Sequence, residues 1–275
     1  MPALVEGGLI DYSPSREARG AKPKETTEML LNWTNAGNGH GLLALCWHWN
    51  SPCDLMDTPE HPDPQHPWWK GFYTADTNYN LSLALGDRSS KQFALLVSDM
   101  DAIAVQLAKL ADADVPVLWR PLHEAAGGWF WWGSEGPGPF KVLWRLMYNR
   151  FTKVHGLHNL VWTYTETSGG PNAAWYPGDD VVDVVGMDVY NAAGSSDDSE
   201  WEAMKQSYGG KKLITLAETG SIVVPNLIRK YETMWSWFNL WDVTGYNITS
   251  EDLTRVCNDP IVVTLDEVPD WNDRQ

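Results

Sequence analysis

The chain has 275 residues, 43% hydrophobic and 20% charged, the profile of a globular protein long enough for one large core or two small domains. Its net charge of −16 sets it against polyanions, so neither a nucleic-acid backbone nor an anionic membrane surface is an expected partner, and a neutral one suits it better. Cys46, Cys53 and Cys257 are too few for a disulfide scaffold and lack the paired spacing of a zinc site, although one bridge among them remains open.

No apolar run approaches the roughly 18 residues of a membrane span. The opening MPALVEGGLIDYS has neither the basic start nor the long apolar core of a secretory leader, so the chain is either intracellular or begins after a removed leader. Sequons at Asn32, Asn80 and Asn247 would accept glycans only in a eukaryotic secretory pathway.

In chain order, GGLIDY (7–12) reads as a first buried strand, followed by a helical pattern over Glu28–Ala36 and a second strand, GLLALCWHW (41–49). The stretch from Ser51 to Val97, with PEHPDPQHPWWKGFYT inside it, is expected to form an elaborate loop. SDMDAIAVQLAKLADA (98–113) is the clearest helix: Ser98 can cap it, and Met100, Ile103, Leu107 and Leu110 share one face. PVLWRPLHE (116–124), NLVWTYT (159–165), VVDVVGMDVY (181–190), KLITLAE (212–218) and WSWFNLWD (235–242) complete a set of seven strands. Helical patterns over Phe140–Val154, Pro225–Met234 and Ser250–Val256 fall between or after them.

Strand and helix in alternation predict a parallel sheet, and strands apolar throughout suit a sheet covered on both faces. With a length near that of a (β/α)8 TIM barrel, the α/β barrel is the expected fold and a doubly wound open sheet the competing one. No Pro/Gly/Ser linker divides the chain, so residues 1–275 form a single catalytic domain in this reading.

Barrel chemistry sits at the C-terminal ends of strands, and that is where the polar residues fall. His48 closes the second strand, Arg120, His123 and Glu124 the third, Asp188 and Tyr190 the fifth, Glu218 the sixth, and Trp241 with Asp242 the seventh. Two carboxylates at strand ends can divide acid and nucleophile roles when their surroundings push their pKa values apart. The competing role for each glutamate is a structural ion pair with an arginine at the rim.

The 17 tryptophans shift that balance, because an indole face suits the C–H face of a pyranose, and many of them (Trp47, Trp49, Trp68, Trp69, Trp129, Trp131, Trp132, Trp241) lie near strand ends. Core packing is the competing role for any one of them.

Cofactor and metal motifs fail on inspection, so none is expected. HEAAG has Gly127 where a zinc motif needs its second histidine. GNGHG (37–41) precedes a strand instead of following one, and the prolines of GSEGPGP (133–139) remove the amides a phosphate loop needs. His61 and His66 lie in a proline-rich loop without companion ligands, and there is no G-x-S-x-G elbow.

WRPLHEAAGGWFWWG (119–133), WYPGDDVVDVVGMDVY (175–190), LAETGS (216–221) and NDPIVVTLDEVP (258–269) resemble glycoside hydrolase family 26, best known for endo-β-1,4-mannanases. IDYSPSR (10–16), CWHWNSP (46–52) and WWKGFYT (68–74) look like its mannanase branch. The resemblance implies a (β/α)8 barrel with Glu124 as acid/base at the end of strand four and Glu218 as nucleophile at the end of strand seven. Here those glutamates end the third and sixth strands read from the sequence, so the family's first strand is apparently absent. Seven barrel strands are therefore expected, with residues 3–12 serving as the family's strand two.

By the same resemblance the mechanism is retaining, with carboxyl groups roughly 5–5.5 Å apart. Tyr190 would donate to the nucleophile, His48 and His123 would bind hydroxyls, and Trp129 and Trp241 would hold sugars on either side of the cleavage point. Trp69 of WWKGFYT joins these as a substrate contact. Arg120, read as sharing a strand face with Glu124, is expected to pair with Glu218, and Asp183 and Asp188 to support the site.

Glu166, in a segment that departs from the family pattern, puts the substrate contacts of its loop in question, and Thr219 replaces the more usual valine. The implied protein is a secreted, monomeric enzyme without cofactor that hydrolyses mannan, glucomannan or galactomannan. Mixed-linkage β-glucanase, β-1,3-xylanase and mannobiose-releasing exo-mannanase activities are the alternatives, and a non-catalytic carbohydrate-binding protein is a further one.

Overall fold

The computed structural model describes residues 2–37, 41–241 and 245–268. Seven strands, β1 (Leu4–Gly8), β2 (Leu42–Cys46), β3 (Val117–Arg120), β4 (Leu160–Thr167), β5 (Val184–Val189), β6 (Leu213–Thr219) and β7 (Phe238–Leu240), pair in parallel in sequence order. A doubly wound sheet would reverse its strand order partway; here the order runs from β1 to β7 without reversal, and the sheet curls into a nearly closed barrel.

Around it run α1 (Pro14–Glu17), α2 (Thr26–Ala36), α3 (Leu81–Gly86), α4 (Lys91–Ala111), α5 (Pro137–Asn149), α6 (Asp198–Tyr208), α7 (Pro225–Tyr231) and α8 (Ser250–Cys257). Proline opens α1, α5 and α7, where its missing N–H has no helical partner to lose.

The central strands β4 and β5 bury both faces, whereas the seam strands β1 and β7 are only partly buried. Trp162 and Tyr164 of β4 point outward onto Phe140 and Trp144 of α5, while the next residues along the strand, Thr163 and Thr165, are equally buried. On β1 the outward Gly7 lets α2 approach, since a Cβ there would fall 2.7 Å from Leu30 Cδ1. Met100, Ile103, Leu107 and Leu110 of α4 form a fully buried face, as their spacing requires.

Several boundaries differ from the sequence reading. The first strand begins three residues earlier than GGLIDY, and Ile10–Tyr12 forms a turn of 3-10 helix. Helix α4 begins at Lys91, because Ser90, not Ser98, caps it by accepting from the Phe93 amide at 3.1 Å. The expected loop over 51–97 thus contains α3 and the first turns of α4. All three cysteines are free thiols, so no bridge forms among them. Asp242 and residues 38–40 of GNGHG lie outside the described residues.

The missing strand shows as a seam. β1 and β7 have no ladder between them, and an apolar cavity of about 700 Å³ opens along it, lined by Leu4, Val5, Phe238, Leu240, Val256 and Val262 among others. Among the described residues of the barrel wall one side-chain bond crosses the seam, from Asn239 Nδ2 on β7 to Glu6 Oε2 on β1.

Candidate active site

The site assembles where β2, β3, β5 and β6 end. Strand β3 stops at Arg120, and the chain then turns through Leu122 and Glu124, which have φ of 52° and 54° in the left-handed region. Two such non-glycine residues in one short turn are strained, as is common where a functional side chain must be aimed. Arg120 and Glu124 therefore do not share a strand face, contrary to the sequence argument; Arg120 points into the barrel and Glu124 caps its mouth.

Behind the turn Gly133 lies so close that a Cβ on it would fall 1.9 Å from the Ala125 carbonyl oxygen. That approach folds the 129–133 segment back, and Trp129 Nε1 donates to Glu124 Oε2 at 2.9 Å.

Glu218 comes from β6, where the register against β5 slips by one residue, pairing Leu216 with Met187 and Glu218 with Asp188. Such a bulge re-aims the side chain that follows it. Glu218 accepts from Arg120 Nη2 at 2.6 Å and from the Tyr190 hydroxyl. Arg120 also donates through Nη1 to Asp188 at 2.9 Å and through Nε to Glu6 at 3.0 Å. One fully buried guanidinium thus holds three carboxylates, and against burial their charges keep its proton on well above the ordinary arginine range.

Burial pushes Asp188 well above the usual carboxylate range despite Arg120. Thr219, the departure beside Glu218, uses its hydroxyl to accept from the Ser221 amide at 3.2 Å, fixing the turn after β6.

Glu124 is pushed up to about 7, first by burial and next by the negative charge of Glu218, while the Trp129 bond works the other way. Oxygens of Glu124, Asp188 and Glu218 lie within 4.8 Å of one another. Three carboxylates at that spacing could ligate a cation, but Arg120 already bonds two of them.

His48 and His123 face each other with ring centroids 4.6 Å apart. Burial holds both protonation equilibria down, His48 to about 4 and His123 well below its usual value, so both are neutral hydrogen-bonding groups near pH 7. His123 Nδ1 has no protein partner. Trp241 stands 5.5 Å from the His48 ring and is 38% exposed; Trp129 is 42% exposed on the Glu124 side. Exposed indoles flanking buried polar groups make a floor for a flat neutral ligand.

Of the residues singled out from sequence, Glu124, Glu218, Arg120, Tyr190, His48, His123, Trp129 and Trp241 converge here. Trp69 does not join them directly: it is 50% exposed on the loop after β2, its ring against Trp68. That loop is nonetheless tied to the mouth, because Thr74 donates to the carbonyls of Trp129 and Gly128, both at 2.8 Å.

Asp183 lies at the opposite end of the barrel, where it accepts from the Trp162 amide at 2.8 Å. Glu166 faces outward, fully buried, and accepts from Tyr164, Tyr208 and the Asn172 amide, so it anchors its loop to α6 instead of joining the cluster at the mouth. Of the named tryptophans, Trp47, Trp49, Trp131 and Trp132 are core.

Sequence reasoning missed Glu6, Phe72 and Phe130. The two rings pack on His48 at 5.3 and 5.8 Å and wall the mouth. The signal for Glu6 was a lone carboxylate inside the apolar run LVEGG, visible once the strand is placed at 4–8.

The geometry agrees with the comparisons. The chain is 44% identical over 99% of its length to a mannan endo-1,4-beta-mannosidase of Thermothelomyces thermophilus, covering 55% of that protein. It superposes with a TM-score of 0.89 and 41% identity on a Podospora anserina GH26-CBM35 beta-(1,4)-mannanase, covering 98% of this chain and 59% of that one. A beta-mannanase from a symbiotic protist of the termite Reticulitermes speratus, solved with a gluco-manno-oligosaccharide, gives 0.79 and 31%, with 98% and 81% covered. The chain spans about half the length of the curated relatives it matches at 55, 42 and 45%. The family model described as "Glycosyl hydrolase family 26" matches residues 1–267, and the chain belongs to that family.

Proposed function

We propose that the protein is a retaining endo-β-1,4-mannanase that cleaves mannan, glucomannan or galactomannan by double displacement. The observation that carries this reading is the convergence of Glu124 and Glu218, whose carboxylate oxygens approach within 4.8 Å, with Glu124 pushed up to about 7. That spacing fits direct attack on carbon better than the wider gap of roughly 6.5–9.5 Å an inverting enzyme needs for its water. The mannanase names of the relatives favour β-mannan as substrate.

Glu124, protonated, sits in the mouth with Trp129 against it; Glu218 is oriented by Arg120 and Tyr190. In the first step Glu218 attacks the anomeric carbon as the glycosidic C–O bond breaks, and the Glu124 proton passes to the leaving oxygen. In the second, water attacks the same carbon, gives its proton to Glu124, and the ester bond to Glu218 breaks, restoring both groups. The neutral His48 and His123 offer hydrogen bonds to sugar hydroxyls, and Trp129 and Trp241 offer platforms for rings on either side of the cleaved bond.

A polymer substrate too large to enter a cell makes a secreted enzyme the consistent reading. The deciding experiment is reducing-sugar release on linear mannan, glucomannan, β-1,3-xylan and mixed-linkage β-glucan, with Glu218→Gln alongside. Release confined to mannans and lost in the variant is the expected result. Release from xylan or β-glucan alone would move the substrate, and activity retained by Glu218→Gln would overturn the mechanism.

A further inference from the structure

Glu6 has no place in the reaction as written, yet its side chain is only 5% exposed and sits in the same buried cluster as the nucleophile. A carboxylate buried in a β-strand is expensive to keep unless its partners require it. Its partners are unusual in where they come from. Oε1 accepts from Arg120 Nε on β3, the residue whose Nη2 holds Glu218. Oε2 accepts from Asn239 on β7, across the seam where β1 and β7 share no backbone ladder. The relay Asn239–Glu6–Arg120–Glu218 therefore runs from the unpaired edge of the barrel to a carboxylate oxygen of Glu218.

Arg120 alone cannot fix its own orientation. A guanidinium with partners on one side can swing about its long stem, whereas partners on both Nε and the Nη pair lock the plane of the fork. Glu6 bonds Nε while Asp188 and Glu218 bond the two terminal nitrogens, so the fork is held along two edges. The groups facing Glu6 are Arg120 from β3, Cys46 from β2, Glu218 from β6 and Asn239 from β7, with Asp188 of β5 across the guanidinium. Arg120 is the single cation among them.

We propose that Glu6 is a positioning residue for the nucleophile: by bridging Asn239 across the seam to the Nε edge of Arg120, it sets the guanidinium against which Glu218 is aligned. The proposal rests on Glu218 being the nucleophile. It predicts that the electrostatics at the mouth respond to a residue on β1 that touches no substrate.

The test uses Glu6→Gln and Glu6→Asp in the full chain, with Glu218→Gln as a control, on linear mannan across pH. Glu6→Gln keeps the shape and removes one negative charge from the cluster. Its kcat should fall about tenfold to a hundredfold with KM within twofold, since a misplaced reacting group loses on that order. The acidic limb of its kcat/KM profile should move down by roughly one pH unit, because fewer neighbouring negative charges favour ionisation of those that remain.

Glu6→Asp keeps the charge but cannot reach both partners, so kcat should fall without movement of the limb. A wild-type kcat and profile in Glu6→Gln would overturn the proposal. Should that variant not fold, a wild-type kcat in Glu6→Asp would do so instead. Activity surviving in Glu218→Gln would mark failure of the mechanism beneath it, a result separable from either outcome at Glu6.

Discussion

The same seven strands make two openings of opposite character. At the C-terminal ends Arg120, Glu6, Asp188, Glu218 and Tyr190 bond one another across four strands, and exposed indoles stand around them. Along the seam between β7 and β1 the barrel leaves an apolar cavity of about 700 Å³ lined by aliphatic and aromatic side chains. The catalytic reading belongs to the first opening, although the second is a sizeable cavity. Volume follows from where strands fail to meet, whereas function follows from where polar groups are forced together and pKa values are driven apart.

Substitutions at the two openings should separate cleanly. Glu218→Gln is expected to lower kcat on mannan on the order of 10⁴-fold or more, since it removes the proposed nucleophile outright. Glu124→Ala should lose about 10²–10⁴-fold on polymer yet keep most of its kcat/KM on an aryl mannoside, whose leaving group needs no proton, while kcat falls there because the second step still lacks its base. Ile228→Ala, on the cavity wall, should leave kcat within twofold. Steady-state kinetics on both substrates would break the contrast if the cavity variant proved as damaging as either glutamate.

Stability should divide the molecule the other way. Leu45, fully buried in the ladder-paired β2, should cost about 2–5 kcal/mol when cut to alanine. Ile228, only partly buried beside an existing void, should cost about 1 kcal/mol, because little new cavity is made. Urea titration of both variants compares a closed wall with an open one.

How far the sequence reached follows the same division. Strand order, the two glutamates and the helix faces were legible because apolar runs and strand-end polar residues carry local signals. The position of β1 was not, because LVEGG places a carboxylate and two glycines in a strand, and partners far along the chain, Arg120 and Asn239, make that carboxylate tolerable. Helix α4 had two serines able to cap it, and the choice of Ser90 depends on burial of Leu96, which no local pattern fixes. The tryptophans divide into core and cleft through loop geometry alone: Trp129 and Trp131 are two residues apart, one 42% and the other 1% exposed.

A quieter contrast is drawn by Asp99, buried on α4 with the Trp49 indole as donor at 2.8 Å and no cation beside it. Burial pushes it up to about 7, against that bond. A carboxyl whose folded pKa lies above its unfolded value near 3.8 favours folding fully below about pH 4 and loses that contribution as pH rises through 7. Asp99→Asn, neutral throughout, should be more stable than wild type at pH 8 by about 1–3 kcal/mol, and the advantage should vanish at pH 4. Melting curves at the two pH values decide it; an equal difference at both would mean that charge burial is not the cause.

Glu124 carries the same sign at the mouth, but with a cause that can be removed. In the wild type the acid is lost as pH rises through about 7, so kcat/KM should fall tenfold per unit above it. Burial is the larger cause and the Glu218 charge the second, so neutralising Glu218 should lower the Glu124 titration without returning it to the ordinary range near 4.5. Carbon NMR of labelled glutamate in Glu218→Gln reads this without needing turnover. A midpoint still at 7 would assign the whole shift to burial, and one at 4.5 would assign it all to the neighbouring charge. An intermediate value is expected, because the Trp129 ring bonded to Glu124 shields that carboxyl from water, and it stays in place when the Glu218 charge is gone.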